Sequence, residues 1–138
     1  MIVDLKLCNR TLERNSNLKN NEVDPKRGEI YFIDFGTLGF EGSEQGGTRP
    51  GLILQNDLGN HFSDTTMVAL ISKSTRKNFP TQMLLDHKKY PFIKERSTIM
   101  LEQIRTISQT RLTGKLGSLL GDEMLEVEQK LKISFGMR

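Results

Sequence analysis

The sequence is poor in cysteine and has no long apolar run, and each absence excludes a class of protein. Cys8 is the only cysteine among 138 residues, so the chain cannot form an internal disulfide or a cysteine-based metal cluster. A single cysteine suits the reducing cytosol, and we predict a cytoplasmic protein. Asp4 and Lys6 interrupt the start of the chain, so we expect no signal peptide. The longest apolar runs reach about half of the ~20 residues that cross a membrane, which predicts no membrane partner.

The sequence also lacks familiar catalytic motifs. It contains no G-x-S-x-G nucleophile elbow, no phosphate-binding G-x-x-x-x-G-K-[ST] loop and no H-E-x-x-H zinc motif. We therefore expect neither a metal nor a cofactor. A metal-dependent nuclease stays open as an alternative, because five carboxylates could converge in the fold: Asp34, Asp57, Asp64, Asp86 and Glu102.

The charge of the chain is nearly balanced once its first residues are set aside. The net charge is +3, from 20 basic and 17 acidic residues. Six of the basic and four of the acidic residues lie within residues 1–27, which leaves 14 and 13 for the rest. A nucleic-acid ligand is compatible with this balance, but it would have to be held by locally placed charges rather than by a broad basic face.

Residues 1–25 differ in composition from the rest of the chain. Five asparagines lie there among alternating charges, and the stretch ends at Asp24-Pro25, a pair that disfavours a helix. We predict an N-terminal extension over residues 1–25, flexible or loosely docked, followed by one domain over residues 26–138.

From Gly28 onward the pattern is that of short strands. Runs rich in β-branched and aromatic residues predict five or six strands, in the segments EIYFIDF, GLILQ, TMVALIS, TQMLLD and STIMLEQIRTIS. A long glycine-rich loop joins the first two of these strands, and a turn-rich connection, NDLGNHFSD, follows the second.

The C-terminal part changes to helical spacing. Four apolar residues recur near one face of a predicted helix: Met124, Val127, Leu131 and Phe135. Three leucines before it predict a shorter helix: Leu116, Leu119 and Leu120. The predicted fold class is mainly β with helices, as a small, strongly bent antiparallel sheet or partial barrel with a C-terminal helix packed on it.

Polar residues at the ends of predicted strands are the candidates for chemistry. Arg49 lies between the glycine-rich loop and Pro50, which precedes the apolar segment GLILQ. Ser72 closes the third predicted strand. Three further polar residues interrupt the apolar segment IMLEQIRTI, where polar side chains need partners or solvent: Glu102, Gln103 and Arg105.

Several of these segments occur together in one order, and in that order they resemble a known family. KRGEIYFIDF opens the domain, and GSEQGGTRPGLILQND with a following GN comes next. A strand that ends in a hydroxyl residue, then PTQMLLD, then LEQIRTISQTRLTGKLG complete the set. The chain resembles the MazF/PemK type of toxin from bacterial toxin–antitoxin pairs over roughly residues 26–135. The N-terminal extension departs from the family pattern.

This resemblance implies a small SH3-like barrel with helices that forms a two-fold homodimer. Members of the family are sequence-specific, metal-independent endoribonucleases that cut single-stranded mRNA and cause growth arrest. Their products carry a 2′,3′-cyclic phosphate and a 5′-hydroxyl. A cognate antitoxin of the MazE type blocks the RNA groove through an acidic, otherwise disordered segment. The resemblance implies the same substrate and the same kind of partner for this chain.

Within the resemblance, Arg49 matches the catalytic arginine of the family, and Ser72 stands where most relatives have threonine. The hydroxyl is kept at position 72, although the methyl group that restricts the rotamer is lost. A guanidinium suits this chemistry, because it stays ionised and offers two-pronged donors to a crowded phosphate. Eight further residues are candidates for RNA contact: Phe40, Glu44, Gln45, Asn56, Asn60, Glu102, Gln103 and Arg105. Phe40 would stack on a base.

Several candidates also have a structural interpretation. Glu102 and Arg105 could pair with each other or across a dimer contact, and Phe40 could pack in a dimer interface. Asn56 and Asn60 suit a turn by intrinsic preference alone.

Two other functions compete with RNA cleavage. The first is a non-catalytic barrel that holds a nucleic acid or a protein, as an inactive toxin relative would. The second is a toxin that poisons another macromolecular machine, as similar barrels do in gyrase-directed toxins. The presence of both Arg49 and a hydroxyl at position 72 favours cleavage, since a decayed relative is expected to lose one of them.

Overall fold

A computed structural model describes residues 23–36, 47–73 and 79–138 of the chain, in which six strands and two α-helices form. In chain order they are β1 (Glu29–Asp34), β2 (Thr48–Ile53), α1 (Asp57–Phe62), β3 (Thr65–Ser72), β4 (Gln82–Leu85), β5 (Ser97–Ser108), a 3₁₀ turn (Gln109–Arg111), β6 (Leu112–Ser118) and α2 (Gly121–Phe135). Residues 1–22 lie outside the described residues, so the predicted boundary of the N-terminal extension stays a prediction.

The six strands form one sheet in the order β4-β5-β3-β2-β1-β6. Every neighbouring pair is antiparallel. The predicted fold class, mainly β with a C-terminal helix, is therefore confirmed.

Two segments differ from the sequence prediction. Leu116 belongs to strand β6 rather than to a short helix, because Gly114 and Gly117 disfavour a helix and β1 offers an edge for pairing. Gly117 also admits the ring of Phe92, which a β-carbon there would meet. The predicted turn-rich connection contains the short helix α1, where the Asn56 Oδ1 atom accepts a hydrogen bond from Gly59 N at 2.7 Å.

Side chains alternate between two apolar clusters on opposite faces of the sheet. On one face, Ile30, Leu52 and Ala69 belong to a cluster that includes Met124 and Val127 of α2. On the other face, residues from β1, β2 and β3 form the second cluster: Tyr31, Ile33, Ile53, Val68 and Leu70. Because both faces of the central strands are apolar, these strands are nearly continuous hydrophobic runs in the sequence.

Helix α2 buries most of the face that its spacing predicts. Met124 and Val127 are buried, and Leu131 packs against the same cluster. Phe135 was predicted to share this role, but it is 61% exposed, because the cluster beneath the helix does not extend past Leu131. Gly136 ends the helix in the left-handed conformation, at φ 68°.

Candidate active site

The base of the glycine-rich loop is closed by backbone hydrogen bonds. Gly47 N donates to Gly36 O at 2.9 Å, and Phe35 N donates to Gly47 O at 3.0 Å. Both glycines have positive φ, 64° at Gly36 and 78° at Gly47, which a side chain would disfavour. This closure fixes the point at which the chain enters β2, two residues before Arg49.

Arg49 lies at the start of β2, opposite Ile33 of β1. The pairing of β2 with β3 runs from Ile53, opposite Val68, to Gly51, opposite Leu70. When the same register is continued by two residues along both strands, Arg49 stands opposite Ser72. Cross-strand partners share a face of the sheet, so both side chains lie on the face of the second apolar cluster.

The absence of a side chain at Gly51 lets strands β1 and β2 pack closely next to Arg49. A β-carbon at Gly51 would lie 2.5 Å from Ile33 Cδ1 and 3.3 Å from the Ala69 carbonyl oxygen. The Ile33 side chain therefore fills the space that a larger residue at position 51 would need. This contact packs β1 against β2 at Gly51, two residues after Arg49.

Ser72 ends β3 and is paired on its other side with Thr98 of β5. Both residues are buried, with 5% of Ser72 and 4% of Thr98 exposed. Arg49, Ser72 and Thr98 therefore form one row across three neighbouring strands, which we call the arginine row. Sequence reasoning predicted roles for Arg49 and Ser72, and these stay predictions. It did not single out Thr98, a polar residue at the start of an apolar strand.

An irregularity in β5 sets the positions of Glu102 and Gln103. Ala69 of β3 pairs with Ile104, whereas the next residue, Leu70, pairs with Met100. Residues 101–103 therefore form a bulge, a feature that often redirects side chains beside functional sites.

Glu102 in this bulge contacts β4 and the turn before it. Its carboxylate accepts hydrogen bonds from Thr81 Oγ1 at 2.9 Å and from Gln82 Nε2. Gln103 and Arg105 are both partly buried. Arg105 lies opposite Val68, four residues from Ser72 along β3, or about 13 Å at the usual rise of a strand. Glu102 and Arg105 are thus outside the arginine row, and their contact with RNA stays a prediction.

Asn60 belongs to a buried polar network rather than to an exposed surface. Its side chain is fully buried, and Oδ1 accepts hydrogen bonds from Thr66 Oγ1 at 2.6 Å and from Gln55 Nε2 at 3.1 Å. Asn60 Nδ2 donates to the Gln55 carbonyl oxygen at 2.9 Å. Gln109 Nε2 donates to the Asn60 and Thr65 carbonyl oxygens. Burial of these polar atoms favours a structural role for Asn60, and its contact with RNA stays a prediction.

The other predicted contacts have different positions. Asn56 is exposed and caps α1, so the turn interpretation explains its oxygen. Three candidates lie outside the described residues and stay predictions: Phe40, Glu44 and Gln45.

A second polar group lies around Glu29, which is buried at the start of β1. Its carboxylate accepts a hydrogen bond from Lys26 N at 2.5 Å and from the Tyr31 hydroxyl at 3.4 Å, and it forms an ion pair with Lys115. Burial raises the pKa of Tyr31 to about 12, and the negative charge of Glu29 contributes to the same rise.

Within residues 23–36, 47–73 and 79–138, no three His, Cys, Asp or Glu side chains are grouped so that they could hold a metal ion. The five carboxylates named above therefore do not form a common site. In the same part of the chain, no helix is long and apolar enough to cross a membrane.

Comparison with known proteins gives one consistent family. A family model described as a PemK-like, MazF-like toxin of type II toxin–antitoxin systems matches residues 26–135. The endoribonuclease EndoA of Bacillus subtilis (strain 168) is 46% identical over 113 residues, which cover 81% of this chain and 95% of that relative. The endoribonuclease MazF of Staphylococcus epidermidis is 44% identical over 113 residues, which cover 81% and 92%.

Solved structures show the same fold at lower identity. MazF from Deinococcus radiodurans matches with a TM-score of 0.69 at 22% identity, covering 84% of this chain and 100% of that chain. An endoribonuclease from Mycobacterial species, in complex with its cognate antitoxin, matches with a TM-score of 0.66 at 23% identity, covering 83% and 97%. These likenesses place the six-stranded sheet and its C-terminal helix in a known architecture.

Proposed function

The chain belongs to the PemK-like, MazF-like toxins of type II toxin–antitoxin systems, and we propose that it is a metal-independent endoribonuclease that cleaves single-stranded mRNA at a short recurring sequence. The observation that carries this proposal is the register of β2 and β3, which pairs Gly51 with Leu70 and, when continued by two residues, sets Arg49 opposite Ser72. Arg49 follows the closed base of the glycine-rich loop, and Ser72 is the last residue of strand β3.

The proposed chemistry uses a nucleophile that the RNA itself provides. The 2′-oxygen next to the scissile phosphate attacks phosphorus, and the bond from phosphorus to the 5′-oxygen breaks. The 2′-hydroxyl loses its proton, and the leaving 5′-oxygen gains one, so the products are a 2′,3′-cyclic phosphate and a 5′-hydroxyl. Neither water nor a metal ion takes part in this balance.

Arg49 has the main role in this mechanism. Negative charge accumulates on the phosphate oxygens as the 2′-oxygen attacks, and a guanidinium binds two of them with parallel N–H donors. A fixed charge of this kind is often the largest catalytic contribution, at about 2.7–4 kcal/mol for one donor. Ser72 orients a phosphate oxygen or the 2′-hydroxyl. Arg49 serves as a positive charge rather than as a conventional acid or base, because an arginine side chain stays protonated at neutral pH.

The residues that read the RNA sequence are proposed from the surface beside this row. Gln103 and Arg105 are partly exposed on β5, and Glu102 is held at the bulge by β4. Side chains with amide, carboxylate and guanidinium groups recognise unstacked bases by their edges. Together with the candidates in the glycine-rich loop, they set the cleaved sequence.

The proposed partners follow from the relatives. Solved relatives include an endoribonuclease with its cognate antitoxin and a MazE–MazF complex. We infer that this chain forms a homodimer in the cytoplasm, where its mRNA substrate lies, and that an antitoxin with an acidic segment covers the RNA-binding surface. An acidic segment would complement the positive charge of Arg49.

The direct test is incubation of the purified protein with a long RNA in EDTA, followed by mapping of the product ends. The expected result is cleavage at one short recurring sequence, with 2′,3′-cyclic phosphate and 5′-hydroxyl ends. Cleavage that requires an added divalent ion, or that leaves 5′-phosphate ends, would contradict the mechanism. Protein that binds the RNA without cutting it would favour the non-catalytic alternative.

A further inference from the structure

We propose that Gln82 is a specificity-determining residue, which selects at one position of the RNA a base that carries an exocyclic amino group, and that Glu102 is the positioning residue that fixes the amide of Gln82. The inference rests on the proposed function, because it assigns a step of RNA recognition beside the same site. Glu102 thereby acts through Gln82, a residue that the sequence pattern did not single out.

Both oxygens of the Glu102 carboxylate bind the start of β4. Glu102 Oε1 accepts a hydrogen bond from Gln82 Nε2, and Glu102 Oε2 accepts one from Thr81 Oγ1 at 2.9 Å. The backbone joins the same two segments, because Leu101 N donates to the Thr81 carbonyl oxygen at 2.9 Å. The bulge of β5 thus places Glu102 where it binds two side chains of the neighbouring segment.

The hydrogen bond to Glu102 decides which way the Gln82 amide faces. A carboxylate accepts hydrogen bonds and does not donate them, so the NH2 group of Gln82 is the end that meets Glu102. The other end, Oε1, is turned away from Glu102. Within residues 23–36, 47–73 and 79–138, no group donates a hydrogen bond to this oxygen, and Gln82 is partly exposed. Gln82 therefore presents to a ligand an acceptor of fixed orientation.

Gln82 lies on the same face of the sheet as the arginine row. It is paired with Met100 of β5, which is paired with Leu70 of β3, and both partners belong to the second apolar cluster. Cross-strand partners share a face, and the arginine row crosses β3 two residues further along, at Ser72. The spacing between strands and the rise along them put the Cα atoms of Gln82 and Ser72 about 12 Å apart. An RNA strand whose phosphate lies at the arginine row can therefore place a neighbouring base at Gln82.

An acceptor of fixed orientation discriminates among bases. Adenine, cytosine and guanine each carry an exocyclic amino group that donates to it, whereas the one N–H donor on the pairing edge of uracil lies between two carbonyl oxygens that repel an acceptor. Leu84, two residues further along β4 on the same face, is 46% exposed and offers an apolar contact for the plane of the base. The geometry thus favours a base with an amino group over uracil.

The first test measures kcat/KM for a short RNA that contains the mapped cleavage sequence, with each of the four bases in turn at each position around the cut. At one position, the wild-type protein should prefer a base with an amino group over uracil by about three- to tenfold, within the range for one hydrogen bond. Gln82→Leu should reduce this preference to less than about twofold and leave the other positions unchanged. Gln129→Leu is the matched control and should keep every preference, since Gln129 is exposed on α2, which packs on the opposite face of the sheet.

The second test removes the amino group from the RNA. At the same position, purine replaces adenine, 2-pyrimidinone replaces cytosine or hypoxanthine replaces guanine. The wild-type protein should lose about three- to tenfold in kcat/KM, whereas Gln82→Leu should lose less than about twofold. An equal loss in the two proteins would overturn the contact between Gln82 and the amino group.

Glu102→Gln separates positioning from direct contact with RNA. An amide at position 102 donates as well as accepts, so Gln82 can turn its NH2 group towards the RNA, where it meets the O4 atom of uracil. The preference for an amino group should fall to less than about twofold at the same position, although the lost negative charge acts on all RNA sequences alike. A full wild-type preference in Glu102→Gln would overturn the positioning role.

Urea unfolding of each variant shows that the compared proteins are folded, and a base preference is a ratio that partial unfolding does not change. A wild-type enzyme that cuts RNA, but whose base preferences all persist in Gln82→Leu, would overturn this inference alone. A wild-type protein that does not cut RNA would instead remove the proposed function and this inference with it.

Discussion

Strand β3 carries a polar group at each end, and the two groups differ in how they are held. At its start, Thr66 joins the network of Gln55, Asn60 and Gln109, which we call the buried network. At its end, Ser72 belongs to the arginine row. Glu29 lies at the same end of the sheet as the buried network, because β1 and β3 run in the same direction.

The two ends differ in where their polar groups lie relative to the paired strands. In the buried network, the Asn60 side chain donates and accepts hydrogen bonds within the protein, and loss of any member leaves a buried polar atom unpaired. In the arginine row, Arg49 and Ser72 lie beyond the paired part of β2 and β3, beside the base of a loop. Polar groups that fold the protein are thus separated along one strand from those proposed to act on a substrate.

The largest effect that should sharpen this comparison is loss of cleavage in Arg49→Ala. Removal of one charge-stabilising donor lowers kcat by about 10²–10³-fold, and Arg49 supplies two such donors, so we expect at least this loss. The free energy of unfolding should change by less than about 1 kcal/mol, since Arg49 lies outside both apolar clusters. Cleavage rate and urea unfolding measured on the same samples test both parts.

Arg27→Ala is the control for an arginine at the opposite end of the sheet. Arg27 Nη2 forms an ion pair with Glu128 Oε1 at 2.9 Å, and both side chains are partly exposed. Such a pair contributes about 0–1 kcal/mol, and cleavage should not change. Wild-type cleavage by Arg49→Ala, or an equal loss in both variants, would show that the site is wrongly assigned.

The reverse result is expected from Asn60→Ala at the buried network. The substitution leaves Thr66 Oγ1 without its acceptor and removes one of the two acceptors of Gln55 Nε2, so it should lower the free energy of unfolding by about 2–4 kcal/mol. Cleavage per folded molecule should stay within about threefold of wild type. Asn56→Ala removes only a helix cap and should cost about 1 kcal/mol, which makes it the matched control. An Asn60→Ala protein that is stable but inactive would instead favour the predicted contact of Asn60 with RNA.

The contrast between Asn60 and Thr98 shows what the sequence can and cannot predict. The strands were predictable from their β-branched and aromatic runs, and the roles proposed for Arg49 and Ser72 rest on motifs in a fixed order. The burial of Asn60 was not predictable, because asparagine in a turn is as compatible with an exposed position as with a buried one. Thr98 was missed because its partner, Ser72, lies on another strand, and the register between strands depends on packing and turns rather than on local composition.

Strand β6 was missed for a related reason. Its leucines have a spacing compatible with a short helix. The strand is favoured by pairing with the edge of β1 and by the close approach of Phe92 to Gly117. Tertiary contacts of this kind override weak local preferences.

The group around Glu29 predicts a smaller, pH-dependent effect at the end of the sheet that carries the buried network. The folded protein holds the Tyr31 proton up to a pKa of about 12, whereas an unfolded chain releases it near 10. This contribution to stability is therefore complete below about pH 10 and is lost as pH rises towards 12. In Tyr31→Phe the free energy of unfolding should fall less steeply over this range, while at pH 7 the lost hydrogen bond to Glu29 should cost under about 1 kcal/mol. Equal slopes for the two proteins, measured by urea unfolding between about pH 9 and 12, would contradict this origin.

The smallest effect is expected from Ser72→Thr, at the position where the resemblance to the family implies threonine. The substitution keeps the hydroxyl and restricts one torsion, and selection of one rotamer among three raises its population by at most about threefold. We therefore expect kcat between the wild-type value and about three times that value, with KM unchanged. The added methyl group must fit a row in which Ser72 is only 5% exposed, so an inactive but folded Ser72→Thr enzyme would mean that this site has adapted to serine. Ser72→Ala supplies the lower limit, because it removes the hydroxyl and leaves Arg49 as the remaining member of the proposed catalytic pair.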